Sequence, residues 1–326
     1  MEKELGEIKA VLKKYGQEHL LNNFENLDEA HKKELLKEIK GINFELVTSL
    51  YDSTKKEKKN TKDEITPIDY LDKFKLGDKY KYYENIGKKA IKEGELAVVT
   101  MAGGQGTRLG HSGPKGTYDI GLDSHKSLFE LLSDGIKEEA KKYGVTIPWF
   151  IMTSRENNKA TIEFFEKHKY FGYQKDKNIF FFIQGELPMM DTEGKILIGE
   201  DGLIKLAADG HGGIYESLVK TGMTKKMKEL GVKWVFIGGV DNCLVKMVDP
   251  VLMGVAIDQQ VTVACKSVVK ANPQEKVGVF CKRNGKPNVI EYTEITENMA
   301  EARDKDGELL YGESHILCNL FSVDAV

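Results

Sequence analysis

The chain has 326 residues, which at roughly 150 residues per domain predicts about two domains. Its 48 Lys and Arg residues nearly balance its 51 Asp and Glu residues, giving a formal net charge of −3. A nucleic-acid partner is therefore not expected, because it would favour a basic face. No apolar run approaches the roughly 20 residues of a membrane span, and the charged N-terminus lacks the apolar stretch of a signal peptide.

The cysteines provide no metal or redox motif. None of the four forms a CxxC pair, and each lies in or beside an apolar run: Cys243, Cys265, Cys281 and Cys318. This usage is typical of buried thiols in a reducing compartment. We therefore expect a cytoplasmic protein without a membrane partner.

Residues 1–94 are predicted to be a helical region followed by a linker. Apolar residues at spacings of three and four predict a helix from Leu5 onwards, and Asp28 and Gly41 are the expected cap and end of a second. Residues 42–47 predict another short helix. Residues 55–62 contain no apolar side chain, which indicates a solvated linker rather than a basic binding site. A further helix is predicted over 79–93.

From residue 95 onwards, apolar strands and amphipathic helices alternate. This alternation predicts an α/β fold with a doubly wound, Rossmann-like mixed sheet over residues 95–326. The predicted strands are 96–101, 149–152, 179–183, 234–237 and 261–266, followed by a strand-rich stretch at 278–282, 289–293 and 316–321. The predicted helices are 127–143, 160–167, 217–230 and 249–259.

A glycine-rich loop, MAGGQGTRLGHSGPKG, occupies residues 101–116 directly after the first buried strand. Gly103, Gly104 and Gly106 let the backbone approach phosphate oxygens and offer N–H donors. Arg108 adds a fixed guanidinium fork and Lys115 a mobile point charge. The loop therefore predicts a phosphate site at the carboxyl end of a strand.

The spacing excludes two common phosphate loops. A P-loop needs GK followed by Ser or Thr, whereas here Pro114 precedes Lys115 and Gly116 follows it. A dinucleotide-binding loop needs GxGxxG, but Gly110 comes one position too late after Gly106. An oxidoreductase with a Rossmann cofactor site is therefore excluded.

GGQGTRLG followed by PKG resembles the signature loop of the eukaryotic-type UDP-sugar pyrophosphorylases, most closely those that make UDP-N-acetylglucosamine. Further segments are similar in the family's order: GQEHLL, NFE, IPWFIMTS, FFEKHKYFG, VDNCLVKMVDP and VIEYTEI. The resemblance covers nearly the whole chain and implies a nucleotidyltransferase fold with an N-terminal helical region. It implies the reversible reaction of UTP with a sugar 1-phosphate to give a UDP-sugar and pyrophosphate, with Mg²⁺ (or Mn²⁺) as cofactor.

The resemblance also implies roles for individual residues. Arg108 and Lys115 are the expected catalytic residues. Gln184 is expected against the uracil ring, because an amide can both donate to and accept from the imide edge; without the resemblance it could equally be a solvent-facing loop residue. The expected nucleotide-binding residues are Met101, Gly103, Gly104, Gly106, Thr107, Gln184 and Gly210.

Asp241 follows the apolar run that ends at Val240, and the resemblance implies that it holds the metal ion. Magnesium takes few protein carboxylates and otherwise binds water and phosphate oxygens. A lone carboxylate at this point could also cap the next helix. Asp249 before Pro250 indicates a helix start, since proline suits the first helical position.

Four residues are implied as sugar contacts: His211, Gly278, Glu291 and Asn319. Glu291 lies in a predicted strand of alternating pattern, so it could also be a surface residue. His211 stands where N-acetylglucosamine-type enzymes carry asparagine, and histidine is more typical of UDP-glucose enzymes. Asn319 is followed by Leu320 and Phe321, whereas the family commonly has His-Phe-Phe at this point. The match at Asn319 is therefore partial.

Two alternatives stay open. One is a UDP-glucose, UDP-galactose or broad-specificity pyrophosphorylase, favoured by His211. The other is a non-catalytic nucleotide-sugar binding protein, because the family pattern continues past Val326 with a phosphate-contacting lysine that has no counterpart here. We expect the C-terminal part of the family fold to be missing from this sequence. A monomer or weak homo-oligomer is expected.

Overall fold

The structure is a computed structural model that describes residues 2–55 and 63–326. The predicted linker, apart from Lys55, lies outside the described residues. One compact unit combines the chain up to Lys55 with Gly185–Gly212, and a second combines residues 63–184 with the chain from Gly213 to Val326. The structure thus groups residues 63–94 with the following sheet, whereas the sequence placed a domain boundary between residues 94 and 95.

The helices and strands are numbered in chain order. The helices are α1 (Glu2–Lys14), α2 (Glu29–Gly41), α3 (Phe44–Lys55), α4 (Asp78–Lys92), α5 (Leu128–Tyr143), α6 (Asn158–Lys167), α7 (Ile214–Lys220), α8 (Met223–Glu229), α9 (Pro250–Asp258) and α10 (Glu297–Glu301). The strands are β1 (Ile65–Pro67), β2 (Leu96–Met101), β3 (Trp149–Thr153), β4 (Ile179–Ile183), β5 (Glu186–Pro188), β6 (Leu206–Ala208), β7 (Trp234–Gly239), β8 (Val263–Val269), β9 (Val279–Arg283), β10 (Lys286–Ile290) and β11 (Glu313–Ser322).

The first unit contains α1 to α3 and the small β5–β6 sheet. The Asp28 carboxylate accepts a hydrogen bond from the His31 backbone N–H at 2.8 Å, which confirms the predicted cap of α2. The side chain of buried Gln17 donates to the Gly194 carbonyl and accepts from the Ile196 N–H. This amide therefore ties the N-terminal helices to the later segment of the same unit.

The second unit is built on a nine-stranded mixed sheet, which confirms the predicted fold class. The strand order is β1-β9-β11-β7-β2-β3-β4, with β10 beside β9 and β8 beside β11. Strand β2 runs parallel to β3 and β7, and β3 runs parallel to β4. Strand β11 is antiparallel to β7 and β8. The parallel strands therefore share one carboxyl edge, and the strand-rich C-terminal stretch forms the antiparallel side.

Helices cover both faces of the parallel strands, as a doubly wound fold requires. Every residue of β2 is buried, and its side chains alternate between two hydrophobic clusters. Val98 packs with Phe129 of α5 on one face, whereas Val99 packs with Leu218 of α7 on the other. Because β2 is buried on both faces, its unbroken apolar sequence is typical of a central parallel strand.

Three predicted elements differ from the structure. The helix predicted over 217–230 is two helices, α7 and α8, because Gly222 adopts a left-handed φ of +77° between them. Strand β8 begins at Val263, later than predicted. Strand β10 ends at Ile290, so Glu291 follows the strand and the prediction that it lies inside one was wrong.

Two further sequence predictions concern the burial of the cysteines and the presence of membrane spans. Cys281 and Cys318 are buried free thiols and Cys243 is half-buried, but Cys265 is exposed. The prediction of four buried thiols was therefore wrong at Cys265. Within residues 2–55 and 63–326, no helix combines the length and apolar character needed to cross a membrane.

Candidate active site

The carboxyl edge of the parallel strands forms a single platform. The Gln184 backbone N–H, just beyond β4, donates to the Thr153 carbonyl at the end of β3 at 2.8 Å. The Val240 N–H, just beyond β7, donates to the Met101 carbonyl at the end of β2 at 3.1 Å. Residues at or just beyond the ends of four strands are thereby held at one edge, where ligands bind in open α/β sheets.

The glycine-rich loop folds back on itself at this edge. The Gly106 N–H donates to the Gly113 carbonyl at 2.8 Å, and the Lys115 N–H donates to the Gly104 carbonyl at 3.1 Å. Arg108 is exposed on a single turn of 3₁₀-helix, Thr107–Leu109, in the segment that these two hydrogen bonds enclose. Thr107 begins that turn and is also exposed. The loop therefore presents both predicted catalytic side chains and the three predicted glycines on one short hairpin-like segment.

Asn157 holds the start of the loop, residues 102–104, in place. The sequence analysis did not identify this residue. Its side-chain amide is almost fully buried and donates to the Ala102 carbonyl at 2.9 Å and the Gly104 carbonyl at 3.3 Å. The Ser154 N–H in turn donates to Asn157 Oδ1 at 2.9 Å. The only signal in the sequence was an amide residue shortly after a predicted strand, which is also typical of an ordinary helix cap.

Gly103 and Gln184 are in contact. A methyl group at Gly103 would lie 2.1 Å from Gln184 Oε1, a distance that no real side-chain carbon adopts. A larger residue at position 103 would therefore have to displace the Gln184 amide, which is the end of a flexible side chain. The amide of Gln184, which is predicted to contact the base, therefore lies against Gly103 of the glycine-rich loop.

Lys115 and Asp241 form an ion pair. Lys115 Nζ lies 2.8 Å from Asp241 Oδ2, and the lysine side chain is 19% exposed whereas the aspartate side chain is 66% exposed. The ammonium group occupies a position at the carboxylate that a metal ion could take. Among the described residues, no cluster of three or more His, Cys, Asp or Glu side chains could cage a metal ion. A single accessible carboxylate fits Mg²⁺, which keeps water and phosphate oxygens as its other ligands.

The predicted sugar contacts of the second unit are close to one another. A methyl group at Gly278 would lie 3.1 Å from Glu291 Oε1. The Gly278 carbonyl accepts a hydrogen bond from the His315 N–H at 2.8 Å. Asn319 is 8% exposed, and its side chain interacts with the ring of His315.

His315 is a further polar residue of this group that the sequence did not reveal. Burial lowers the pKa of His315 below its ordinary value, against the opposing effects of Asn319 and the Glu291 carboxylate. The ring also packs edge-on against Phe280, with 5.1 Å between ring centroids. The imidazole is therefore favoured in its neutral form, and it borders two predicted sugar contacts.

Gly210 and His211 belong to the first unit, whereas the other predicted site residues lie in the second. Gly210 has a φ of +81°, which favours glycine, and His211 begins the single turn His211–Gly213. Their predicted roles at the nucleotide and the sugar stay predictions.

The fold and the loop define a class: an α/β protein with a glycine-rich, cationic loop at the carboxyl edge of a mixed sheet. A family model described as UTP–glucose-1-phosphate uridylyltransferase matches residues 42–326. The chain belongs to this family. The predicted resemblance to UDP-sugar pyrophosphorylases is confirmed.

Individual relatives agree with this assignment. A UDP-N-acetylglucosamine pyrophosphorylase of Saccharomyces cerevisiae is 38% identical over 95% of this chain and 68% of its own length. UDP-N-acetylglucosamine diphosphorylase 2 of Arabidopsis thaliana is 37% identical over 96% of this chain and 66% of its own length. The chain thus spans about two thirds of the length of these relatives.

Solved structures extend the comparison to the fold. The uridine diphosphate N-acetylglucosamine pyrophosphorylase from Trypanosoma brucei superposes with a TM-score of 0.81 at 32% identity, covering 99% of this chain and 67% of that one. A UDP-glucose pyrophosphorylase from Leishmania major superposes with a TM-score of 0.67 at 15% identity, covering 91% of this chain and 64% of that one, a similarity of fold alone.

Proposed function

We propose that this chain catalyses the reaction of UTP with N-acetylglucosamine 1-phosphate to give UDP-N-acetylglucosamine and pyrophosphate. The observation that carries the proposal is the contact between Lys115, on the glycine-rich loop, and Asp241, beyond β7. It brings a phosphate-binding cation and a metal-binding carboxylate to one point of the carboxyl edge. The relatives named above support N-acetylglucosamine as the sugar.

The reaction is a single in-line displacement. An oxygen of the sugar phosphate attacks the α-phosphorus of UTP, and the bond from that phosphorus to the bridging oxygen of pyrophosphate breaks. Such chemistry depends on positioning and charge neutralisation rather than on a protein nucleophile. The free thiols of the chain are therefore not required for catalysis.

The glycine-rich loop has two proposed tasks, which are binding the triphosphate and neutralising the charge of the leaving pyrophosphate. In our proposal the backbone N–H groups at Gly103, Gly104 and Gly106 bind the triphosphate, and Arg108 and Lys115 neutralise the charge that develops on the leaving pyrophosphate. Met101 and Thr107 complete the nucleotide contacts of the loop.

The proposed cofactor is a divalent metal ion. Asp241 would hold Mg²⁺ (or Mn²⁺), which when bound supplies charge neutralisation at the α-phosphate. Lys115 then exchanges its carboxylate partner for phosphate oxygens. The 66% exposure of the Asp241 side chain supports this exchange, because the carboxylate is open to solvent and to a metal ion.

Base and sugar are selected elsewhere. Gln184 contacts the uracil edge with one donor and one acceptor. Within the second unit, Gly278, Glu291 and Asn319 contact the sugar. The buried Asn319 amide has both donor and acceptor groups, which suits a sugar hydroxyl or an acetamide group. The roles of Gly210 at the nucleotide and of His211 at the sugar stay predictions.

A second candidate sugar follows from His211, which favours glucose or galactose 1-phosphate. The test is a panel of N-acetylglucosamine, N-acetylgalactosamine, glucose and galactose 1-phosphates with UTP and Mg²⁺, following pyrophosphate release. We expect the highest kcat/KM with N-acetylglucosamine 1-phosphate. A preference for glucose 1-phosphate would favour the second candidate, and UTP binding without turnover of any sugar phosphate would favour a binding protein. Cytoplasmic location and a monomeric or weakly oligomeric state stay predictions.

A further inference from the structure

His111 is half-buried and packs against both sides of the glycine-rich loop. Its Nε2 atom is 2.7 Å from Thr117 Oγ1, and the Thr117 hydroxyl donates to the Pro114 carbonyl at 2.8 Å. The His111 backbone N–H donates to the Gly106 carbonyl at 3.1 Å. His111 thus contacts two parts of the loop. Its backbone bonds to the glycine arm, residues 103–106, and its ring bonds to the lysine arm, residues 113–117.

The imidazole fills the space between the two arms. A methyl group at Gly106 would lie 2.8 Å from both Cβ and Cδ2 of His111, and a methyl group at Gly113 would lie 3.2 Å from its Nε2. The ring also rests against Tyr118, with 5.5 Å between centroids. The loop is closed around this side chain, and two of its glycines leave room for it.

The hydrogen-bond chain has a defined polarity. Because Thr117 donates its only hydroxyl proton to Pro114, its oxygen accepts from the imidazole, which assigns the proton to Nε2 of His111. This series of hydrogen bonds ends at the Pro114 carbonyl, and Pro114 is the residue directly before Lys115. The position of the histidine ring is therefore transmitted to the start of the turn that carries the proposed catalytic lysine.

We propose that His111 is a positioning residue that, through Thr117, holds the glycine arm and Lys115 in the conformation that receives the triphosphate. The proposal rests on the proposed function for the identity of the ligand. The pair His111–Thr117 is called the loop brace below. A loop ordered before binding does not lose that conformational freedom when the nucleotide binds, so the brace raises nucleotide affinity without touching the nucleotide.

Two pairs of variants separate the brace from simple packing. His111→Gln places an amide at the reach of Nε2 and can still bond to Thr117, whereas the side chain of His111→Asn is too short. Thr117→Ser keeps the hydroxyl, whereas Thr117→Val keeps the shape and loses it. His125→Asn is the matched control, because that exposed histidine pairs with Asp119 outside the loop.

Hydrogen exchange of the backbone amides tests the brace without any ligand. We expect the amides of Gly106 and Lys115 to exchange at least about tenfold faster in His111→Asn and Thr117→Val. His111→Gln, Thr117→Ser and His125→Asn should exchange like the wild type. Equal exchange in His111→Asn and the wild type would overturn the proposal.

Titration with UTP and Mg²⁺ tests the positioning role. We expect about tenfold weaker binding by His111→Asn and Thr117→Val, restoration by His111→Gln, and an unchanged KM for the sugar phosphate. A purely structural histidine would lower the melting temperature but leave the affinity of the folded protein for UTP unchanged, and that result would overturn the proposal. If the wild type forms no UDP-sugar, the proposed function fails, while hydrogen exchange still decides the brace.

Discussion

Lys115 and Asp241 are 126 residues apart in sequence, yet the ammonium nitrogen of one lies 2.8 Å from a carboxylate oxygen of the other. The lysine comes from the loop after β2, and the aspartate comes from the turn after β7. Strands β2 and β7 are parallel neighbours, so their carboxyl ends bring the two turns together. The pair joins the two charged groups on which the proposed phosphate chemistry depends.

Removing the ammonium group should affect turnover far more than folding. We expect Lys115→Ala to lower kcat at least a hundredfold, because losing one preorganised charge donor to a transition state costs roughly 2.7–4 kcal/mol. The measurement is steady-state pyrophosphate release, with circular dichroism to verify the fold. Lys126→Ala is the matched control, since that lysine pairs with Asp134 on the surface at 2.6 Å. Wild-type turnover by Lys115→Ala would remove lysine from the mechanism.

Asp241, beyond β7, and Asp249, at the start of α9, should behave in opposite ways. Asp241 is largely exposed, whereas Asp249 is largely buried and caps α9 through the N–H groups of Val251 and Leu252. We expect Asp241→Asn to abolish most activity and weaken Mn²⁺ binding in the presence of UTP, measured by electron paramagnetic resonance, with an unchanged melting temperature. Asp249→Asn should lower the melting temperature and leave Mn²⁺ binding intact. Unchanged Mn²⁺ affinity in Asp241→Asn would contradict the assigned metal ligand.

The contact between Gly103 and Gln184 predicts a steric effect. In Gly103→Ala, the new methyl group would meet Gln184 Oε1 at 2.1 Å and displace the amide. We expect a loss of discrimination between UTP and other nucleoside triphosphates, measured as a ratio of kcat/KM values. Gly104→Ala is the control for the fold, because its methyl group would have only Lys115 Cε nearby, at 3.9 Å. Unaltered base selectivity in both Gly103→Ala and Gln184→Ala would show that another group reads the base.

Acid should destabilise the second unit through Asp249. Burial alone would raise the pKa of this carboxyl group, but the Lys266 ammonium at 2.7 Å and the backbone N–H donors outweigh it and lower the pKa below 3.8. The folded state therefore holds the proton less tightly than the unfolded state, so the carboxylate stabilises the protein above about pH 4. This contribution is lost as the pH falls further, through the lowered pKa.

The measurement is the free energy of unfolding by urea for the wild type and Asp249→Asn between pH 7 and pH 3. We expect a difference of about 1–3 kcal/mol at neutral pH that shrinks below pH 4. Asp324→Asn is the control, because that carboxylate is 87% exposed in its pair with Lys228. A difference independent of pH would show that the charge of Asp249 is not what stabilises the helix start.

The parallel half of the fold could be predicted because its strands are buried on both faces. The unbroken apolar sequence of β2 is a local signal, and it agrees with the structure. The break at Gly222 was missed because the apolar pattern continues across it. The end of β10 at Ile290 was missed because alternation in sequence does not show where pairing with β9 stops.

The candidate site could be predicted where its functional residues lie close together in one short segment. The loop and its cations stand together in sequence, so Gly103 and Lys115 could be found without coordinates. Asn157 and His315 could not, because each acts through a partner that is distant or irregularly placed along the chain. Strand β11 changes register between His315 and Asn319, which no periodic pattern could reveal.

The most direct test of the proposed reaction is ³¹P nuclear magnetic resonance of the chain with UTP, N-acetylglucosamine 1-phosphate and Mg²⁺. The proposal predicts equal amounts of UDP-N-acetylglucosamine and pyrophosphate, formed only when all three are present and reduced at least a hundredfold in Lys115→Ala. Unchanged UTP in the presence of the folded wild-type chain, or hydrolysis of UTP to UDP and phosphate, would contradict the proposal.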